Sequence, residues 1–205
     1  MNAQHEQIVA HVEITAPLLA EWMRQHGPLQ FPAPRPPFEA LCRAIIGQQL
    51  STQAAATVWR RFDAQMLQGV LPADTPSHML SLSESELRTA GLSQSKAKAI
   101  LSLAEAFTAE PERYCFDNEQ DDRGDDEISR DLQRIRGIGP WTAQMFLMFT
   151  LQRPDVFAEG DLGIRKGMAK LLGSIDLSPS ECLRHAENWR PYRSNICLHL
   201  WKAAS

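Results

Sequence analysis

The chain has 205 residues, 43% of them hydrophobic and 22% charged, with a formal net charge of −4. These proportions are ordinary for a globular protein, and the length allows a sizeable core in one domain or two small subdomains. A membrane span is excluded because no apolar run approaches the roughly 18 residues that one requires. The N-terminus also lacks the basic and apolar regions of a signal peptide, so we expect a cytoplasmic protein, or a nuclear one if its source is eukaryotic.

The negative charge is concentrated in one segment. Residues 117–127 contain seven acidic residues and one arginine, so the remainder has 20 basic and 18 acidic residues and carries +2. Such a run is typical of a solvated, mobile loop. Local positive charge elsewhere matters more for DNA contact than the total, so the net charge does not exclude a nucleic-acid partner.

Cysteine and histidine spacings give no sign of a bound metal. The four cysteines, which form no CxxC pair and no close cluster, are Cys42, Cys115, Cys182 and Cys197. Zinc and an iron–sulfur cluster are therefore not expected, and we interpret these cysteines as buried free thiols. The six histidines show no ligand spacing either, and His185 and His199, which lie in helical patterns, are interpreted as structural.

The first half of the chain reads as a series of short helices. The first three are predicted over residues 15–26, 38–48 and 51–66. A short helix begins at Pro76, and another follows the capping box of Ser83 and Glu86. A longer helix follows the segment 91–98 and ends at about residue 109. Residues 27–37 contain Gly27 and five prolines and form an extended connector. The Gln48-Gln49 junction alone is best read as a polar surface turn. Lys96 and Lys98 suit either phosphate contact or a solvated helix face.

Residues 132–150 predict a helix, a hairpin and a second helix. Gly137-Ile138-Gly139 breaks the first helix, because two glycines around one apolar residue make a tight turn, and Pro140 suits the first position of the next helix. N–H groups at a helix start have no internal partner and attract anions, and glycines let a phosphate approach. The whole segment 132–150 resembles the helix-hairpin-helix motif, which binds DNA phosphates without recognising the base sequence.

In the C-terminal part of the sequence, the second hairpin helix is predicted to end at Arg153-Pro154, and a loop follows over 155–161. An amphipathic helix is predicted over 162–172, then a helix capped by Ser178 and a last helix that begins at Pro191. With nine or ten helices and no convincing strand, the predicted class is all-α, as two helical lobes with a cleft between them. We assign residues 1–37 to an N-terminal helix and connector that pack with the C-terminal lobe, 38–153 to the lobe with the hairpin, and 154–205 to the C-terminal lobe.

These features together resemble the helix-hairpin-helix DNA glycosylases, and in particular the 3-methyladenine DNA glycosylase II type of alkylation-repair enzyme. The matching segments are 46–51, 139–143, 155–161 and 190–194, and the resemblance covers residues 38–205. Some members carry an extra α/β domain before this region. Only about 37 residues precede it here, so we expect that domain to be absent.

The resemblance assigns a catalytic role to Asp161, although Gly-Asp before an amphipathic helix also suits a plain N-cap. An ionised carboxylate there would stabilise the positive charge that builds on the sugar as the glycosidic bond breaks. Lyase-type members carry a lysine directly before the hairpin Thr-Ala, whereas this chain has Trp141. The resemblance therefore implies a monofunctional hydrolase without an iron–sulfur cluster and without a required cofactor.

The remaining implied site residues fall into three groups. Trp141 and Trp201 match aromatic positions of the base pocket, with core packing as the competing interpretation. Other implied substrate contacts are Gln48, Met145 and Phe38. Implied DNA contacts are Gly137, Ile138, Gly139, Thr142 and Gln49, the last at the position whose side chain fills the gap left by the flipped base. The carbonyls of Gln133, Ile135 and Ile138 are candidates for a structural sodium or potassium ion.

Two departures from the family pattern concern the range of bases. Met145 stands where some relatives have tyrosine, and Gly160 replaces an acid beside the catalytic one. The expected partner is duplex DNA with a damaged base, bound by a monomer with no membrane contact, and the expected reaction is excision of alkylated purines such as 3-methyladenine and 7-methylguanine. A non-enzymatic DNA-binding module and a glycosylase for deaminated or oxidised bases remain alternatives.

Overall fold

The computed structural model describes residues 3–116 and 122–205, and within these ranges it contains α-helices and no strand, which confirms the all-α class. The α-helices are α1 (Ala3–Glu13), α2 (Pro17–His26), α3 (Pro37–Gly47), α4 (Thr52–Phe62), α5 (Thr75–Ser81), α6 (Glu84–Thr89), α7 (Gln94–Ala109), α8 (Asp125–Gln133), α9 (Pro140–Phe149), α10 (Leu162–Leu172), α11 (Pro179–Ala186) and α12 (Arg193–Ala204). The chain divides into two compact units, one formed by Met1–Ala33 with Gln152–Ser205 and the other by Pro34–Leu151.

The first unit, which we call the terminal unit, joins α1 and α2 to α10, α11 and α12. Its closest helix pair is α10 and α12, which meet at Gly167. A Cβ at this position would lie 1.9 Å from the carbonyl oxygen of Leu200, so only glycine permits this approach. The terminal unit is therefore held together by segments from both ends of the chain.

The second unit, which we call the central unit, is the continuous segment Pro34–Leu151 and contains α3 to α9. Helix α7 packs against α3, α5 and α6, α3 also packs against α4 and α9, and α8 packs against α9. Fully buried side chains fill the space between these helices, including Leu41, Ile45, Ile100 and Leu103. The two helices of the predicted hairpin, α8 and α9, thus lie on a core that α3 and α7 help to build.

Local helix signals were accurate where a side chain caps the helix. Ser83 and Glu86 form the predicted capping box, Ser178 caps α11, and Ser51 accepts the backbone N–H of Ala54. Helix α9 ends at Phe149 rather than at Arg153-Pro154. Helix α4 ends at Phe62, because the chain continues as a short π-helical segment, Asp63–Leu67.

Two predictions at the chain ends were wrong or incomplete. Pro191 does not open the last helix, since α12 begins at Arg193 and Pro191 lies in a cis peptide with Arg190. Helix α1 was not predicted, although Ile8, Val9 and Val12 form a buried face on it. Three apolar residues in a polar segment are a weak periodic signal, and their burial depends on contact with α2.

The acidic segment is only partly a loop. Residues 117–121 lie outside the described residues, but Asp125, Asp126 and Glu127 form the first turn of α8. Acidic side chains stabilise this end of a helix because it carries the positive end of the dipole. The prediction of a loop over the whole of 117–127 was therefore wrong for its last three residues.

The cysteines are free thiols, and Cys115 corrects the expectation that all are buried. Cys42, Cys182 and Cys197 are buried, and burial raises the pKa of Cys197 to about 12, whereas Cys115 is exposed. Within residues 3–116 and 122–205, no three His, Cys, Asp or Glu side chains are grouped as a metal site. None of the helices described here has the length and apolar character needed to cross a bilayer.

His199 is buried in the terminal unit, and within the part of the chain that the structure describes no hydrogen-bond partner reaches either ring nitrogen. Its pKa is lowered from 6.5 to about 4. Burial makes the largest contribution, and repulsion from the nearby His5, Lys202 and His26 adds to it. At pH values between about 4 and 6.5, the His199 side chain is protonated in the unfolded chain but neutral in the folded chain. We therefore expect the free energy of unfolding to fall by about 2 kcal/mol between pH 7 and pH 5, as measured by urea unfolding.

The variant His199→Met should flatten this pH dependence, because it removes the titrating group. His185→Gln is the matched control, since His185 is exposed on α11. Equal losses of stability on acidification in wild type and His199→Met would show that other groups control the acid response.

Candidate active site and nucleic-acid interface

The hairpin lies between α8 and α9. Gly137 adopts a positive φ of 90°, and the Ile138 N–H donates to the Ile135 carbonyl at 3.1 Å, which closes the turn. The side chain of Ile138 is buried, so the hairpin is anchored in the core of the central unit. Gly139 is the N-cap of α9 and contributes no side-chain hydrogen bond. The helix therefore begins without a side-chain cap, as an anion-binding helix N-terminus requires.

The two hairpin glycines are required for different reasons. A Cβ on Gly137 would lie 2.3 Å from the Ala99 Cβ on α7, so this glycine is needed for packing as well as for its left-handed backbone. A Cβ on Gly139 would meet no atom of residues 3–116 and 122–205 within 4 Å, and the φ of −103° suits any residue. Gly139 is therefore not required by packing or by its backbone conformation, and the space beside it is open.

Gln48 connects the end of α3 to the hairpin. Its side-chain amide nitrogen donates to the Gly137 carbonyl and to the Thr142 hydroxyl, both at 2.9 Å. Thr142 is buried on the first turn of α9. The structure thus brings Gln48, Gly137 and Thr142 together, although Gln48 and Gly137 are 89 residues apart in the chain.

The turn after α3 has an unusual backbone. Gln49 adopts a positive φ of 57°, a conformation that costs about 1–3 kcal/mol for a residue other than glycine. The Leu50 N–H donates to the Gly47 carbonyl at 3.2 Å, and the side chains of both Gln49 and Leu50 are exposed. Strain of this kind persists only where surrounding contacts impose it, so this turn is held rather than free.

The other predicted residues of the central unit differ in exposure. Trp141 is half-buried on the first turn of α9, whereas Met145 is buried one turn later. Phe38 is 3% exposed, and its ring meets Phe107 edge to face at 5.4 Å. The structure therefore gives Phe38 a definite packing role in the core.

Asp161 lies in the terminal unit as the N-cap of α10. Its Oδ1 atom accepts the Ile164 backbone N–H at 2.9 Å, which is the predicted capping contact. The same oxygen accepts the indole N–H of Trp201, on α12, also at 2.9 Å. Two donors on one oxygen fix the orientation of the carboxylate.

Gly163 makes the contact between Trp201 and Asp161 possible. A Cβ there would lie 2.8 Å from Trp201 Cδ1 and 3.1 Å from Asp161 Oδ1. Any larger residue would push the indole away from the carboxylate. The Gly-x-x-Gly spacing of Gly160 and Gly163 around Asp161-Leu162 was a possible signal for this contact, but it is equally typical of a flexible loop.

The loop that carries Asp161 is anchored by the start of α12. Arg193, which is buried, donates to the Asp155 carboxylate at 2.7 Å and to the Asp155 carbonyl at 2.6 Å. The Ser194 hydroxyl accepts the Val156 N–H at 2.9 Å and donates to the Arg153 carbonyl at 2.6 Å. These contacts join the segments 155–161 and 190–194 in the folded chain.

Comparisons with known proteins agree with this arrangement. The sequence model for HhH-GPD superfamily base excision DNA repair proteins matches residues 42–191. DNA-3-methyladenine glycosylase 1 of Schizosaccharomyces pombe is 33% identical over 171 residues, which cover 82% of this chain and 72% of that protein. DNA-3-methyladenine glycosylase 2 of Escherichia coli is 30% identical over 174 residues, 80% of this chain and only 56% of that protein.

A solved structure is similar over almost the whole chain. It is that of Schizosaccharomyces pombe 3-methyladenine DNA glycosylase in complex with abasic DNA, with a TM-score of 0.86, 28% identity and coverage of 96% of this chain and 95% of that one. The chain therefore belongs to the helix-hairpin-helix superfamily of base excision DNA repair proteins. Within that superfamily, the relatives named above are DNA-3-methyladenine glycosylases.

Proposed function

We propose that this chain is a monofunctional DNA glycosylase that flips an alkylated purine out of duplex DNA and hydrolyses its glycosidic bond. Asp161 carries the proposal, because a carboxylate oriented by two donors is the group that this reaction requires. As the bond between the sugar C1′ and the base nitrogen lengthens, positive charge builds on the sugar, and a fixed carboxylate stabilises that charge. The base leaves with the bonding electron pair, water adds at C1′ and gives one proton to the solvent, and an abasic site remains.

The hydrolytic outcome follows from Trp141. An amine at this position would attack C1′ and form a Schiff base, which leads to strand cleavage, whereas an indole offers no such nucleophile. Trp141 and Trp201 are the proposed stacking surfaces for the base. A cationic methylated purine gains from an indole face an attraction that a neutral base lacks.

The contacts of Gln48 favour a different role from direct recognition of the base. Its amide is already engaged by Gly137 and Thr142, so we assign it to support of the hairpin. Met145 and Phe38, both buried, are proposed to shape the base pocket through apolar packing.

A structural sodium or potassium ion suits the C-terminal end of α8. Gln133 is the last residue of that helix, where carbonyls carry the negative end of the dipole, and the Ile135 carbonyl belongs to the same turn. The carbonyls of Gln133, Ile135 and Ile138 would hold the ion and neutralise part of the DNA phosphate charge. We propose that the enzyme acts as a monomer on genomic DNA in the cytoplasm or, in a eukaryote, in the nucleus.

Purified protein incubated with methylated duplex DNA should release free 3-methyladenine and 7-methylguanine, measured by chromatography of the soluble fraction. A panel of duplexes with deaminated and oxidised bases tests the range. Release from those duplexes alone would overturn the alkylpurine assignment. Release of no base from any duplex, with DNA binding retained, would leave a non-enzymatic DNA-binding module.

A further inference from the structure

Lys96 is the third residue of α7, and its ammonium group reaches across to the end of α3. Its Nζ donates to the Ile46 carbonyl at 2.8 Å and to the Gln48 carbonyl at 2.9 Å. The Lys96 backbone N–H donates to Ser93, the N-cap of α7, so the base of the side chain is itself fixed. Carbonyls at a helix C-terminus lack intrahelical partners, and a cation is the group that satisfies them best.

These two carbonyls lie on either side of Gly47, directly before Gln49. The turn also contains the hydrogen bonds from Gln48 N–H to Ile45 and from Leu50 N–H to Gly47, at 3.3 and 3.2 Å. Gln49 then takes its left-handed conformation, and its side chain is exposed. The ammonium group of Lys96 is therefore a contact from outside α3 that holds this turn.

The same face of α7 also supports the hairpin. Ala99, one helical turn after Lys96, is the residue against which Gly137 packs. Gln48 joins the two contacts, because its carbonyl accepts from Lys96 while its side-chain amide donates to the Gly137 carbonyl. A cavity of about 310 Å³ lies among these elements, and its lining includes Gln49, Lys96 and Gly137.

We infer that Lys96 is a positioning residue for Gln49: it fixes the turn so that the Gln49 side chain can fill the gap left when a base leaves the stack, in register with a phosphate held at the hairpin. This inference rests on the proposed function. Burial removes part of the hydration of the Lys96 ammonium group and so lowers its pKa, and the two carbonyl partners replace the lost water contacts. Direct phosphate contact is the competing role for this lysine.

The test compares Lys96→Met with Lys98→Met. Lys98 is the matched control, because it lies two residues further along α7 and its nearest carboxylate oxygen, on Glu84, is 3.9 Å away. The first readout needs no catalysis: the fluorescence of 2-aminopurine beside a stable abasic analogue reports how far the protein reshapes the duplex. We expect Lys96→Met to lose most of this signal and Lys98→Met and Lys96→Arg to retain it.

The second readout is single-turnover base release. Lys96→Met should slow release of a normally paired methylpurine about tenfold, because the flipped state loses its support. Release from a lesion placed opposite an abasic site should change little, since that base is already poorly stacked. Binding to undamaged duplex should also stay unchanged, which a phosphate-contacting lysine would not allow.

Hydrogen exchange distinguishes a local change at residues 47–51 from a general loss of the fold. In Lys96→Met, amides of residues 47–51 should exchange faster while those of α3 and α7 keep their protection. Unchanged fluorescence, unchanged exchange in 47–51, or an equal loss for every lesion context would overturn the inference. Absence of base release by wild type would instead refute the proposed function, and the fluorescence comparison would still decide the role of Lys96.

Discussion

Replacing Asp161 with asparagine is expected to lower the rate of base release by about 10²–10³-fold, the scale found when one preorganised electrostatic contact to a transition state is removed. The fold should survive, because asparagine caps helices as well as aspartate does, and its oxygen can accept the same two donors, Ile164 N–H and the Trp201 indole. The substitution thus removes the negative charge and little else. Single-turnover release of 7-methylguanine, with the melting temperature measured on the same sample, checks this.

Trp201→Phe is the companion variant, since it keeps an aromatic face and deletes the N–H that orients Asp161. We expect a loss of about tenfold, as for a hydrogen bond to a charged group. If Asp161→Asn releases base at the wild-type rate, the carboxylate is a helix cap only. If Trp201→Phe lowers the melting temperature in proportion to activity, the indole serves packing rather than orientation.

Substituting alanine for Gly139 should weaken binding to every duplex by about tenfold or more while the protein stays folded. The added methyl group meets no atom of the described residues within 4 Å and the backbone accepts it, so we expect its effect to come from filling the space that we assign to a phosphate at the N-terminus of α9. Fluorescence anisotropy with undamaged and lesion-containing duplexes, at a fixed salt concentration, measures the loss.

Two other glycines provide the controls for this prediction. Gly124 is the N-cap of α8 and also has open space around it, but three acidic residues follow it, so Gly124→Ala should leave DNA binding unchanged. Gly137→Ala should instead destabilise the fold by about 2–5 kcal/mol, because the methyl group meets Ala99 and the φ is positive. Normal DNA binding by Gly139→Ala would remove the hairpin from the interface.

Features encoded by neighbouring residues could be read from the sequence. The capping boxes, the Gly137–Gly139 hairpin and the cap at Asp161 each depend on residues within four positions of one another, and the structure contains all of them. The all-α class followed from the same local patterns. Helix ends without a capping side chain, as at Phe149, were less well predicted because burial decides them.

The contacts that organise the candidate sites were not readable in this way. Gln48 and Gly137 are 89 residues apart, Lys96 and Ile46 are 50 apart, and Trp201 and Asp161 are 40 apart. A tryptophan in a helical pattern suggested a stacking surface or a core side chain, and a lysine on a predicted helix suggested a phosphate contact or a solvated face. Only the packing of α7, α3 and the hairpin, and of α10 against α12, shows which atoms these side chains meet.

The terminal unit has a consequence for synthesis on the ribosome. Its first helices emerge early, but α10, α11 and α12 follow only after the 118 residues of Pro34–Leu151. At about 5–20 residues per second, α1 and α2 wait roughly 6–24 s for their partners. During that interval the apolar faces that hold Val12, Leu19 and Met23 are without the helices that complete their core. A holding chaperone would therefore protect α1 and α2 until α10, α11 and α12 have been made.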